Sequence, residues 1–356
     1  MSIFYFLKRV WTSDVHILLS GVLGLFSGLF PSVASAHEVY VLSPETIARD
    51  LASSSPNPLV MIAKEPRLFL FYGMVGIILV STVFAMSITR ILERTFNPIL
   101  NSLKPWAAPI ARITLGICLI ASAYHKALFG PELPLSEFGD LASLLQLALY
   151  LTGTLCLIGF WTRPAGVVAL GIFLVGIARY NVYMLTYSNY LGEILFAIFL
   201  GGGRLSLDNL LCHHKSFFHS ITRRLEPYAF PTLRILFGIS ILYAPYYAKF
   251  VHSQLALDVV TNYHLTDFFH FEPLFVVLGA LIVESLIGLF LIFGLEIRHT
   301  ALFFLFWIFL SLLYFGEAVW PHLVLIGVLI SLFCHGYDRF SLEGRYFKYH
   351  AREPVL

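Results

Sequence analysis

The sequence predicts an all-α fold: a polytopic membrane helix bundle with about nine spans after signal cleavage. These form two parallel four-helix repeats behind one leading helix. Three observations carry this reading. First, 58% of the 356 residues are apolar and 12% are charged, against about 45–50% and about a quarter in soluble domains. Mean hydropathy is +0.81. A soluble fold of this size still exposes a large surface, so water-soluble enzymes, nucleic-acid-binding proteins and disordered chains are excluded. Second, apolar windows of membrane-crossing length recur along the chain. Third, a set of landmarks occurs twice in the same order.

The N-terminus reads as a processed signal. Lys8 and Arg9 precede an apolar run from Ile17 to Phe30, and Ala34-Ser35-Ala36 supplies the small-residue cleavage pattern. Cleavage after Ala36 would leave residues 37–66 as a short extracytoplasmic segment. The leading span follows at Leu68–Ile91, within 67–92. Four segments then make a first unit over 109–210: Pro109–Phe129, Leu141–Phe160, Ala165–Tyr180 and Tyr190–Gly203. Four more make a second unit over 231–345: Phe230–Phe250, Pro273–Leu295, Thr300–Phe315 and Val319–His335. Residues 346–356 form a tail.

Charge orients these spans. With the mature N-terminus outside, the inner loops 92–108, 161–164, 204–229 and 296–299 and the tail all carry Lys or Arg. The outer loops 130–140, 251–272 and 316–318 carry only acids, Glu132 and Glu137 among them. The positive-inside rule then places the C-terminus in the cytoplasm of a bacterial inner membrane. The long outer loop 251–272 mixes Leu255, Val259, Val260 and Leu265 with polar residues, as a short amphipathic segment in the membrane interface would; such a segment either caps the outer mouth of the second unit or connects two spans along the membrane surface.

The repeat rests on three landmarks. Arg112-x-x-x-Gly116 matches Arg234-x-x-x-Gly238. Lys126 follows fourteen residues after Arg112, and Lys249 fifteen after Arg234. Gly159-x-x-x-Arg163 matches Gly294-x-x-x-Arg298, and Arg204-Leu205-Ser206-Leu207-Asp208 matches Arg339-Phe340-Ser341-Leu342-Glu343. Four spans return the chain to its starting side, so the repeats run parallel.

On these motifs each unit resembles the DoxX-like family of four-helix membrane proteins. The strongest element is Gly201-Gly202-Gly203-Arg204-Leu205-Ser206-Leu207-Asp208. The second unit departs from it at Gly336-Tyr337-Asp338-Arg339 and ends on Glu343. The resemblance covers about two thirds of the chain, leaving out the leading helix. It implies association with quinone-linked redox systems, with partner redox subunits carrying any other centre. It implies no catalytic residue that can be transferred to this chain.

The intramembrane polar residues are the chemical clues, because an ionisable group in hydrocarbon costs roughly 2.5–3.5 kcal/mol on insertion scales. In the first unit, Lys126, Arg179 and Glu193 are expected toward the outer helix ends, with Glu193 between the two cations. Such a pocket would suit an anionic or quinone-type head group; otherwise the cations snorkel and the nearby tyrosines form an interfacial belt. In the second unit, Lys249 and His322 lie near the outer face. Glu284 lies deeper, with no evident partner at its depth. Outer-face histidines, with His37 as the new N-terminus, raise copper or haem as further cofactors, although no H-x-H or H-x-x-x-H pairing occurs among them. Cys118, Cys156, Cys212 and Cys334 form no C-x-x-C pair, which argues against a dithiol motif or a thiolate zinc site. The alternatives to a redox subunit are a small-solute transporter and a non-catalytic membrane assembly protein. The bilayer is the partner in every case.

Overall fold

The computed structural model describes residues 42–64, 67–211, 224–268, 271–316 and 319–347. The expected signal peptide lies outside the described residues, as do His37, Cys212, His270 and most of the tail. Among the described residues the chain forms helices and no strand, with one isolated bridge between Ala127 and Pro134. The main helices are α1 (Pro44–Ala52), α2 (Arg67–Tyr124), α3 (Ala142–Ile158), α4 (Thr162–Tyr180), α5 (Ser188–Leu200), α6 (Ala229–Pro245), α7 (Ser253–Asn262), α8 (Pro273–Phe293), α9 (Ile297–Phe315) and α10 (Leu323–His335).

Among the described residues, six helical runs are long and apolar enough to cross a membrane: Ile99–Tyr124, Leu135–Ile158, Thr162–Leu200, Glu226–Val251, Pro273–Phe293 and Ile297–Phe315. Trp320–His335 is a shorter apolar run. The nine expected segments fall unevenly on these. Ala165–Tyr180 and Tyr190–Gly203 merge, because α4 and α5 are joined by a 3-10 turn, Asn181–Tyr187. Leu68–Ile91 is continuous with the first helix of unit one rather than separated from it by a loop at 92–108.

That continuity has a geometric consequence. A straight α2 of 58 residues would be about 87 Å long. Yet Met74 packs against Phe275 and Leu278 at the start of α8, while Arg112 is buried at the opposite end of the bundle. Along one axis these two residues would lie about 57 Å apart, nearly twice a bilayer core of about 30 Å. The helix is therefore not straight between them, and Pro105 and Pro109, which each remove a helix hydrogen bond, lie in that stretch.

The bundle has two chemically distinct ends. One end holds the turns at 159–163, 201–206, 294–298 and 336–341 with their arginines; the other holds the tyrosine-rich segments 181–187, 243–247 and 263. At the arginine end both units are latched alike. Arg112 donates to the carbonyls of Cys156 (2.6 Å), Leu157 (2.9 Å) and Leu205 (2.8 Å). Arg234 donates to those of Leu291 and Ile292 and to the carboxylate of Asp338 (2.8 Å). These carbonyls close α3 and α8, where the last acceptors of a helix lack intrahelical donors. Gly159 and Gly294 end those helices at φ 69° and 68°, a left-handed cap that glycine takes without strain. Asp208 accepts from the amides of Trp161 (2.9 Å) and Thr162 (3.1 Å), and Glu343 from the amide of Glu296 (2.5 Å). A carboxylate thus caps the next helix in both units.

The two four-helix sets interlock. α2 packs on α10, and α6 packs on α5, so the first helix of each unit lies against the fourth of the other. Each crossing is centred on a glycine. A Cβ at Gly327 would strike Thr114, and one at Gly192 would come within 3.3 Å of the Leu233 carbonyl oxygen and Leu236. Inside each unit, Gly116 faces Gly153 and Gly238 faces Gly288 at the same close range. Small residues let helix backbones approach where hydrophobic transfer supplies no driving force.

Candidate functional site: a chamber at the tyrosine end

A cavity of about 740 Å³ opens among α5, α6, α8, α9 and α10 at the tyrosine end. Its walls are largely apolar, with Ile241, Phe275, Val283, Phe304, Trp307 and Ile308 representative. The outer loop folds into α7 and a short turn of helix, Leu265–Phe268, and of the two placements expected for it, it takes the cap over the second unit: Ala256, Val259, Val260 and Leu265 form the roof. The N-terminal segment straps this roof down. Arg49 pairs with Asp258 at 2.5 Å, Ser253 Oγ donates to the Pro56 carbonyl, and Leu42 packs with Leu255 and Val259. Apolar residues on one face of α7 meet the chamber and the strap, so the amphipathic pattern is satisfied within the protein rather than by lipid.

Three of the residues singled out by sequence come together here: Lys249, Glu284 and His322 all line the chamber. Lys249 Nζ lies 3.0 Å from Glu284 Oε2, with both side chains largely buried. Glu284 therefore has the partner that its depth in the sequence did not reveal. The reason is local. After Pro245 the chain winds as a π-helix, Tyr246–Val251, which holds one residue more per turn than an α-helix. This accounts for the fifteen-residue spacing from Arg234 to Lys249 against fourteen from Arg112 to Lys126. His322 closes the 3-10 turn leading into α10 and is 3% exposed. Unit one contributes Thr186, Tyr187, Asn189 and Tyr190 to the same wall. Ser240 ties the two units there, donating to the Thr186 carbonyl and lying 3.3 Å from Asn189 Oδ1.

The first-unit pocket does not assemble. Lys126 is exposed and sits in a turn at φ 52°, its carbonyl accepting from the Leu135 amide. Arg179 pairs with Glu137 at 3.0 Å on the surface. Glu193 is neither near the outer helix end nor between those cations. It is 1% exposed, and its Oε1 lies 3.2 Å from the hydroxyl of Thr114, two residues along α2 from Arg112. Its Oε2 makes no hydrogen bond among the described residues.

Histidines at this end are spread out. His125 stacks on Trp320 (4.8 Å, 11°), and His252 meets Tyr247 at a tilt (4.7 Å, 56°). Burial pushes both imidazoles below their usual pKa, leaving them neutral near pH 7. Among the described residues no three His, Cys, Asp or Glu side chains converge as metal ligands.

No family model, curated protein or solved structure matches this chain. The site is therefore read from its own chemistry.

One functional feature escaped the sequence reading. Glu132, in the connection after α2, accepts hydrogen bonds from Tyr187 and from Tyr183 (3.4 Å). The residue types were present in the sequence, two tyrosines within the 3-10 turn Asn181–Tyr187 and an acid in another loop. Nothing in one sequence joins the two.

Proposed function

We propose that this integral membrane protein is a DoxX-like, quinone-linked subunit of a bacterial inner membrane. It holds a quinone or quinol head group in the chamber, and its tyrosine end faces outward. The observation that carries this is an apolar chamber of ligand size with the Lys249–Glu284 pair and His322 in its wall. Pockets for small organic ligands run about 300–1,000 Å³, mostly apolar with a few placed polar groups, and this one falls inside that range. The residues present fit the group. Lys249 and His322 carry donors for quinone carbonyl oxygens, Glu284 can accept from a quinol hydroxyl, and the walls suit a hydrocarbon tail. When bound, such a group supplies two-electron, two-proton chemistry. The outward orientation draws support from the basic residues at the arginine end.

Extraction of protein purified in mild detergent tests this. Quinone should be recovered from the wild type and reduced about tenfold or more in Glu284→Gln and Lys249→Met, the loss expected when about 1.4 kcal/mol of head-group binding goes. Wild-type protein that carries no quinone, and does not take one up from detergent solution, would end this reading.

A further inference from the structure

We propose that Glu132 exchanges protons between the chamber and the water at the tyrosine end, through the hydroxyl of Tyr187. This rests on the chamber holding a protonatable head group, as proposed above, and it assigns a role to residues outside the head-group cluster.

Three observations carry it. Tyr187 is a chamber wall residue, 6% exposed. Its hydroxyl donates to Glu132 Oε1, in the connection between α2 and α3, outside the membrane-crossing runs. A single side chain thus joins the chamber to an acidic loop. Second, the contact is built for closeness. A Cβ at Gly130 would collide with the Tyr187 hydroxyl and come within 2.7 Å of Glu132 Oε2, so only glycine leaves room for the pair. Third, the phenols continue toward the lysine. Tyr183 also donates to Glu132, its ring lies 5.2 Å from that of Tyr247, and Tyr247 is two residues from Lys249. Of the other charged groups at this surface, which include Lys126 and Asp140, Arg179 and Glu137 are engaged with each other at 3.0 Å.

A carboxylate and a phenol within hydrogen-bond reach form a competent proton-transfer pair. Proton-carrying side chains facing a bundle interior commonly mark relays. A proton leaving a hydroxyl in the chamber passes to the Tyr187 oxygen as the Tyr187 proton passes to Glu132, and Glu132 releases it to water. No electron moves in this step.

The test uses an alkylated hydroxyquinoline N-oxide, a quinol analogue whose spectrum changes on deprotonation. The full-length protein is loaded with this probe and subjected to a stopped-flow pH jump. Glu132→Gln and Tyr187→Phe should each slow the bound probe's deprotonation at least about tenfold, with probe affinity held within about threefold of wild type. Glu137→Gln, on the same surface, should leave the rate unchanged. Wild-type rates in both Glu132→Gln and Tyr187→Phe would overturn the relay while leaving the chamber's ligand class standing. Failure of wild-type protein to bind the probe would remove the quinone reading and the relay with it. Should Glu132→Gln fail to fold, Tyr187→Phe decides alone, because its ring still packs against Phe129 and Tyr190.

Discussion

The arginine ends of the two units are near copies, and their tyrosine ends are not. At the arginine end, both units turn on a left-handed glycine, latch an arginine onto the closing carbonyls, and cap the next helix with a carboxylate. At the tyrosine end, Lys126 sits in an exposed turn whereas Lys249 is buried against Glu284. The difference teaches where each kind of constraint acts. Helix ends inside a bilayer-facing bundle must satisfy their backbone groups, and few devices do so. The chamber end answers to whatever occupies it, and one copy of it is enough.

The latches themselves differ by one group, and this gives the largest expected effect. Asp338 supplies a carboxylate to Arg234, both nearly fully buried; the matching position in unit one is Gly203, and Arg112 is held by carbonyls. Asp338→Asn should destabilise by about 3–5 kcal/mol, the range for leaving one member of a buried pair without its partner. Thermal unfolding in detergent measures it. A loss below about 1 kcal/mol would show that the carbonyl cradle alone suffices in unit two as well.

Second in size is the lysine comparison. Lys249→Met should cost about 2–4 kcal/mol by stranding Glu284, whereas Lys126→Met should leave the melting temperature unchanged. Adding Glu284→Gln to the Lys249 variant should restore much of the loss, and equal effects at the two lysines would break the comparison.

Third, alanine at Gly116 and at Gly238 should destabilise alike, by about 1–3 kcal/mol each. In both cases the new Cβ would lie 2.8 Å from a facing glycine carbonyl oxygen. Unequal costs would mean that the two helix pairs can separate to different extents.

The smallest effect concerns acidity. His125 binds fewer protons folded than unfolded, because burial lowers its pKa. Stability therefore falls as pH drops from 7 through the unfolded value of about 6.5. His125→Phe keeps the ring on Trp320 and should flatten that decline, followed as melting temperature between pH 7 and 5. An unchanged slope would place the acid sensitivity elsewhere, His252 being next.

The sequence showed the helix bundle and the paired landmarks, because hydropathy and turn glycines are local properties. Arg112 and Arg234 were visible as repeats, but apart from Asp338, which accepts from Arg234, their acceptors are backbone carbonyls, which leave no trace in residue type. Lys249 was expected near the outer face and Glu284 alone. An α-helix advances 100° per residue, so the extra residue of the π-turn swings the lysine onto another face, and no composition rule reports a π-turn. Glu193 is the sixth residue of α5, and the group it meets, Thr114, belongs to a distant helix, so no spacing along the chain reveals the contact. The roof segment left both a cap and a membrane-surface connector open in the sequence, because one apolar face fits lipid or protein equally well.

The interlocked packing of first and fourth helices bears on how the molecule is made. Chains are synthesised from the N-terminus and usually fold unit by unit. Here α2 emerges near the start, but the surface it needs belongs to α10, almost the last helix made. Ser331 on α10 donates to the Ala107 carbonyl on α2, and Gly327 seats Thr114, the residue that contacts Glu193. During synthesis, therefore, unit one waits in the bilayer with a polar stripe uncovered, and the final helix completes it. Ribosome-bound chains ending near residue 211 should accordingly be the stage most in need of an insertase or chaperone.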